Sequence, residues 1–441
     1  MQNAMRRTWP WLGFTLLVIT AWAAYHPGLS GGFLFDDYVN LDALGNSGPV
    51  DNWRTFWRFI TSGTADPTGR PLALLSFLVD ARNWPADPAP FLRTNLLLHL
   101  FNGALLFALL RQLGRALDPK NEQRNDASAL LAAGLWLLHP LFVSTTLYVV
   151  QREAMLPATF VLLGLLAYGK GRMRFARTDG HQGVAWMVGG ITLGTALAML
   201  CKGNGVLLPL LAWVVESTVF RHEAAFGDSV AAQKRLARIK FFLLILPSLC
   251  LFYYVFADAL RWNAPLAKRP WTIAERLLTE PRVVVNYLAL LLVPRSVSTG
   301  LYNDDYIVSS SLWQPAGTLP ALLLIVGLIV SGICLRRRAP AFAAAILFYF
   351  AGHLLESTSV ALELYFEHRN YLPALLLFWP LARALCGWRF PMAPRIAIAI
   401  GMLAICAVTT YQRTELWGKP DKLAALWAIQ NPDSSRAQAT A

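Results

Sequence analysis

Two adjacent carboxylates, Asp36 and Asp37, sit in the aromatic run Phe33-Leu34-Phe35-Asp36-Asp37-Tyr38. Neighbouring side chains cannot face one group equally unless the backbone is irregular. Such a pair therefore divides its labour: one carboxylate takes a proton, and the other orients its neighbour or holds a metal. A helix N-cap with a solvated partner is the alternative. Cations recur further along the chain in Gly69-Arg70-Pro71, Gln151-Arg152-Glu153, Lys202-Gly203-Asn204 and Glu367-His368-Arg369-Asn370-Tyr371. Together, Arg70, Arg152, Lys202 and Arg369 could neutralise a phosphate, the guanidinium forks matching its oxygens. His99 and Asn102 lie one turn apart on one helix face, as a functional pair or as packing. His139-Pro140 marks a kink, and His353 reads as structural. Asp304-Asp305 is either a solvated turn or a pair of hard oxygen ligands for magnesium or manganese. The sequence holds no zinc-type His/Cys cluster, no nucleophile elbow, no phosphate-binding glycine loop and no nucleic-acid module.

These residues need a scaffold, and the composition says which kind. Of 441 residues, 56% are hydrophobic and 15% charged, against roughly 45–50% and 25% in ordinary soluble domains. Apolar runs recur from end to end, so an all-α polytopic membrane protein is expected, with about eleven spans. They lie near Trp9–Tyr25, Thr94–Leu113, Ala129–Val150, Met155–Tyr168, Val184–Cys201, Val206–Phe220, Phe241–Phe256, Leu319–Cys334, Phe342–Leu355, Leu372–Leu385 and Ile396–Tyr411. Five scattered cysteines, Cys201, Cys250, Cys334, Cys386 and Cys406, read as small core hydrophobes.

The net charge of +13 is explained by the positive-inside rule rather than by nucleic acid. With Arg6 and Arg7 cytoplasmic, the basic clusters Arg111–Arg124, Lys170–Arg177, Arg221–Lys240, Arg336–Arg338 and Arg383–Arg395 share that side. The N-terminus is then cytoplasmic and the C-terminus lies outside. Ala21-Trp22-Ala23 resembles a signal-peptide cleavage site, but a retained first span is preferred, because the acidic pair that follows needs anchoring. Residues 1–411 form the transmembrane domain. Residues 26–93 are a first outer loop with interfacial helices such as Trp53–Ile60 and Leu72–Val79, and 258–315 a second. In the second, Val283–Val293 is too short to span and lies in the interface or re-enters. Residues 412–441 are a short outer tail.

Taken in order, Phe35-Asp36-Asp37, Gly69-Arg70-Pro71-Leu72, Asn95 through His99 to Asn102, Leu138-His139-Pro140, Tyr148 to Glu153, Cys201 to Gly205 and Glu363 through Tyr371 to Pro373 form a set. The set resembles the membrane-embedded GT-C glycosyltransferases, especially bacterial relatives of the TMTC-type protein O-mannosyltransferases. Arg413 to Trp417 and Asn431 to Ala437 resemble the junction at which many relatives begin a tetratricopeptide array, and no such array follows here.

The resemblance implies a GT-C-like bundle in the cytoplasmic (inner) membrane. Its activity would be transfer of a sugar from a polyprenyl-phosphate donor, with inversion, to an exported protein or glycan acceptor on the outer, periplasmic face. Asp36 or Asp37 would be the base. Arg152, Lys202 and Arg369 would contact the donor phosphate, and Arg70, His99, Gln151, Glu363, His368 and Tyr371 would shape the sugar and acceptor sites. A divalent cation, magnesium or manganese, is a conceivable cofactor. A flippase for a lipid-linked saccharide and a glycan ligase or polymerase are the competing readings, and the acidic pair outside the bilayer counts against a carrier.

Overall fold

The computed structural model describes all residues except 1, 47, 179, 221–229, 264–268, 299 and 388–390, and for 2–7 and 176–178 it describes the backbone alone. Arg221, and the side chains of Arg6, Arg7 and Arg177, named above among the basic residues, therefore lie outside the description. The first half of the chain forms α1 (Gln2–Tyr25), α2 (Asp36–Leu41), α3 (Trp53–Ile60), α4 (Pro71–Phe77), α5 (Pro88–Leu117), α6 (Glu122–Leu137), α7 (Val143–Thr146), α8 (Arg152–Thr178), α9 (His181–Met199) and α10 (Leu208–Thr218). The second half forms α11 (Val230–Lys240), α12 (Leu246–Ala259), α13 (Ile273–Leu292), α14 (Thr318–Leu335), α15 (Pro340–Gly352), α16 (Trp379–Gly387), α17 (Met392–Trp417), α18 (Pro420–Gln430) and α19 (Ser435–Thr440). Among the described residues the only extended pairing is an isolated bridge, Asn46 with Gly48. The protein is an all-α, multipass membrane bundle.

Among the described residues, seven helices are long and apolar enough to cross a bilayer, or eight if one bent pair is a single span. The expectation of about eleven spans counted apolar runs, and several of those runs are interrupted. The run 129–150 breaks at His139-Pro140, where Glu122–Leu137 and Pro140–Thr146 meet at 46°. The run 372–385 is divided between a 3-10 turn, Pro373–Leu376, and α16. The run 342–355 stops after the 13 residues of α15, and 206–220 supplies only the 11 of α10. In each case proline sits at the first or second helical position, removing a backbone donor and fixing where the helix begins.

The short helices expected beside the bilayer form for local reasons. Asn52 caps α3, accepting from the Arg54 and Thr55 N–H groups, while Thr55 reaches back to the Asn52 N–H. Its Phe59 and Ile60 are buried while Trp53 and Trp57 stand exposed, the amphipathic pattern of an interfacial helix. Val283–Val293, expected to lie in the interface or re-enter, belongs to the C-terminal half of the 20-residue α13 and its C-cap. A capping box, Thr272 with Glu275, starts that helix well upstream, and polar Arg276 and Glu280 masked it from a reading based on apolar runs.

Two large apolar cores result among the described residues, with two small clusters beside α13. One fills the bundle around Trp136, Phe142, Tyr371 and Trp379. The other lies at the end bearing Asp36 and Asp37, where Leu41, Phe77, Phe91, Tyr148, Tyr302 and Trp417 pack with Leu423, Trp427 and Ala437 of the C-terminal segment. The C-terminal segment is thus folded onto the segment that carries Asp36 and Asp37.

Candidate active site

The acidic pair is divided as its geometry demands. Asp37 is fully buried. Its Oδ2 accepts the Leu34 N–H at 2.8 Å and its Oδ1 the Val150 N–H at 2.7 Å, so it fastens the 33–37 loop to the 3-10 turn before α8. Burial pushes its carboxyl up to about 8 against the lowering pull of those N–H groups. Asp36 is half-buried, and its own N–H donates to the Tyr148 hydroxyl at 2.9 Å. Burial raises its carboxyl above the ordinary range, opposed by the Tyr148 hydroxyl and by Arg436; Glu363 and Arg70 complete its charged surroundings. Asp36 is therefore the more accessible carboxylate of the pair, and Asp37 the one committed to backbone N–H groups.

The backbone is strained here. Among the described residues, Phe35 (φ 33°) and Arg70 (φ 54°) are the non-glycine residues with positive φ. Each such residue costs about 1–3 kcal/mol and persists where its surroundings over-determine it, commonly at functional sites. Phe35 delivers Asp36. Arg70 opens α4 with Pro71 at its first position, and its guanidinium binds Asp66 at 2.8 Å and Glu153. Asp66 also accepts the Gly203 N–H at 3.1 Å, joining the Gly69-Arg70-Pro71 turn to the Lys202-Gly203-Asn204 turn. Lys202 Nζ in turn meets Glu356 at 2.5 Å. Burial drives the Glu356 carboxyl up, but Lys202 and Arg369 outweigh it and hold it below the ordinary range.

His368 lies among these charges, stacked on Phe366 with centroids 4.9 Å apart. Burial, then Lys202, Arg369 and Arg70, keep its imidazole far below the usual range, hence neutral. Its Nδ1 is buried without a protein partner, a free polar atom in a ring of charge.

Arg369 contributes differently from the expectation of a direct phosphate contact. It is 4% exposed, donating to the Glu363 and Leu364 carbonyls at 2.5 and 2.9 Å. Arg276 supports the same loop by donating to the Thr358, Leu362, Glu363 and Glu356 carbonyls, and it pairs with Glu280 at 2.8 Å. Glu363 stays half-buried at the rim, held by Arg269 at 2.6 Å and by Arg436 at 3.2 Å.

Three expected site residues are placed in the packing. Arg152 is 1% exposed, and its guanidinium is engaged by Asp80, Asn95 Oδ1 and the Ser76 and Phe91 carbonyls. His99 and Tyr371 are wholly buried: His99 Nδ1 lies 2.9 Å from the Tyr371 hydroxyl and Nε2 3.0 Å from the Leu137 carbonyl. Asn102 joins them by donating to the Tyr371 hydroxyl at 3.2 Å, so the shared helix face serves packing. His139 is likewise buried, between the Leu141 N–H and the Leu291 carbonyl, and Gln151 is 8% exposed on the turn that receives Asp37.

Tyr148, Asp66, Asp80, Arg276 and Arg436 were not singled out as site residues from sequence. Asp66 carried a usable signal, four residues before Arg70. Arg436 carried none, because nothing local says that the C-terminal segment returns to Asp36, with its guanidinium 5.5 Å from the centroid of Phe35.

Several of the carboxylates that could hold a divalent cation are already engaged. Both Asp37 oxygens are committed to backbone N–H groups, Glu363 is held by two arginines, and Asp304 accepts from Ser434 at 2.5 Å. Among the described residues no three His, Cys, Asp or Glu side chains converge.

The architecture defines a class, a multipass helical membrane protein with an acid and cation cluster at one end. No family model matches the sequence. Over 187 residues the chain is 32% identical to protein O-mannosyl-transferase TMTC4 of Homo sapiens, and over 188 residues 32% identical to TMTC4 of Mus musculus. Each alignment takes 40% of this chain and 25% of the relative, so the match spans about a quarter of the curated relatives' length. This is homology to proteins named as O-mannosyltransferases over that segment. Among solved structures, the apo Archaeoglobus fulgidus oligosaccharyltransferase aligns with a TM-score of 0.45 and 13% identity, covering 94% of this chain and 56% of that one. Archaeal oligosaccharyltransferase AglB from Archaeoglobus fulgidus, in complex with an inhibitory peptide and a dolichol-phosphate, aligns at 0.42 and 14%, covering 98% and 59%.

Proposed function

We propose that this chain is a GT-C-type membrane glycosyltransferase. It moves a sugar from a polyprenyl-phosphate donor to an acceptor hydroxyl, that of an exported protein or glycan, on the outer face of the cytoplasmic membrane. The observation that carries the proposal is Asp36, a half-buried carboxylate next to the strained Phe35, with Arg436, Glu363 and Arg70 in its charged surroundings. The homology to named O-mannosyltransferases supports the sugar chemistry, and the bias of basic clusters to the opposite end supports the orientation.

In the proposed step, Asp36 takes the proton of the acceptor hydroxyl as its oxygen attacks the anomeric carbon. The bond from that carbon to the phosphate oxygen breaks, and the lipid phosphate leaves with the electron pair. Inversion places base and leaving group on opposite faces of the sugar. Lys202 and Arg70, at 14% and 17% side-chain exposure, are the cations that would receive the phosphate, exchanging their present carboxylate partners for it. Arg369 positions the loop rather than contacting the donor, and Arg152 has no part in it. His368 would present Nδ1 to the sugar or phosphate, with Glu363 at the acceptor side. No step is routed through a metal.

The test is mass spectrometry of exported proteins and lipid-linked sugars in cells carrying wild-type, Asp36→Asn or no gene. Loss of a sugar mass from an exported protein, with a lipid-phosphate sugar accumulating, is the expected result. Wild-type glycan levels with Asp36→Asn would remove the assignment.

A further inference from the structure

A cavity of about 770 Å³ lies at the end of the bundle away from Asp36, between α1, α6, α16 and α17. Its floor is apolar, built from Leu130, Ala399 and Leu403, and its rim carries Lys120, Arg124 and Arg395. A third arginine, Arg383, lies beside them, its guanidinium donating to Asn125 Oδ1 at 2.9 Å. Two acids, Glu122 and Asp126, line the cavity with these cations, and cations remain in excess once the existing pairs are counted. Asp126 is taken by Arg111 at 2.7 and 3.0 Å, and Asp118 approaches Arg124 only to 3.9 Å.

The C-terminal carbonyls of α16 account for one donor on each rim arginine: Arg124 to the Arg383 carbonyl at 3.3 Å, and Arg395 to the Cys386 carbonyl at 3.1 Å. The Nε–H groups of both are buried without a partner. Gly387 keeps this arrangement open, since a Cβ there would collide with the Arg124 guanidinium. From Arg395 to Leu403 the cavity follows α17 for eight residues, about 12 Å of helix. Its flank, Ile396 at 46% and Ile400 at 60% exposure, faces the surroundings of an apolar, membrane-length helix.

We propose that this cavity binds an anionic phospholipid, the phosphate on Arg124 and Arg395 and the first carbons of an acyl chain against Ala399 and Leu403. Charge complementarity selects the headgroup, and the apolar floor opening beside exposed isoleucines selects a lipid over a free anion.

Native mass spectrometry of the full-length protein, delipidated and titrated with phosphatidylglycerol or phosphatidylcholine, tests this. Wild type should retain phosphatidylglycerol about tenfold more tightly than phosphatidylcholine, and Arg124→Gln with Arg395→Gln should erase that preference. Ala399→Trp, which fills the floor and keeps both arginines, should expel the lipid, and it keeps the proposal testable if the double variant fails to fold. Equal retention of both lipids by wild type would overturn the proposal. So would unchanged retention in Ala399→Trp, or displacement of phosphatidylglycerol by equimolar inorganic phosphate.

Discussion

Two neighbouring carboxylates with different surroundings make different predictions. Asp36→Asn should cost about 10²–10⁴-fold in transfer, the usual contribution of a general base, with the melting temperature in detergent unchanged. Asp37→Asn replaces one of two accepting oxygens with a donor facing a backbone N–H, so it should lower stability by about 1–3 kcal/mol, read as a fall in melting temperature. The raised Asp36 carboxyl places the acidic limb of the rate profile above the ordinary carboxylate range. Tyr148→Phe and Arg436→Gln each remove an interaction that lowers it, so each should move that limb to higher pH; an unmoved limb in both would dissociate the limb from Asp36. Asp37 acts on stability with the opposite pH dependence. Its carboxyl is raised from 3.8 to about 8, so its contribution is fully present below 3.8 and is lost as pH rises through 8. Melting temperature should therefore fall across that window in wild type, and more shallowly in Asp37→Asn.

The loop 356–364 takes four of its hydrogen bonds from α13. Arg276 lies wholly buried on it and holds four carbonyls of that loop besides Glu280. Arg276→Met should destabilise by about 3–5 kcal/mol, because it strands the buried Glu280, and should make 356–364 the first site of limited proteolysis. The His99, Asn102 and Tyr371 network ties α5 to the 371 turn in a similar way, and Tyr371→Phe should cost about 1–3 kcal/mol in melting without a specific loss of sugar binding. Element positions were legible wherever apolar period and caps agreed, as at Asn52 for α3. They were illegible at α13, where Arg276 and Glu280 look like a charged loop until each is seen to be the other's partner. They were also misread at 129–150, where an unbroken apolar run hides the bend at His139-Pro140.

Across the whole molecule, the second apolar core and the ionic contacts of the site lie at one end of the bundle, the end that the proposed orientation makes the outer one. A protease or cysteine-labelling map should accordingly find Val39 and Ile429 on the same side of the membrane, both exposed, with Lys120 on the other. The sequence by itself determined the membrane class, the all-α architecture and the motifs from which the site is drawn, because bilayer burial imposes a composition and a run length that need no partner to be seen. The tertiary structure alone decided which of those motif residues face the site. Arg152 and Arg70 look alike in sequence, yet one is enclosed by Asp80, Asn95 and two carbonyls while the other stays at the rim. A charge's role depends on what surrounds it, and those surroundings arrive from segments as far apart as Asp36 and Arg436.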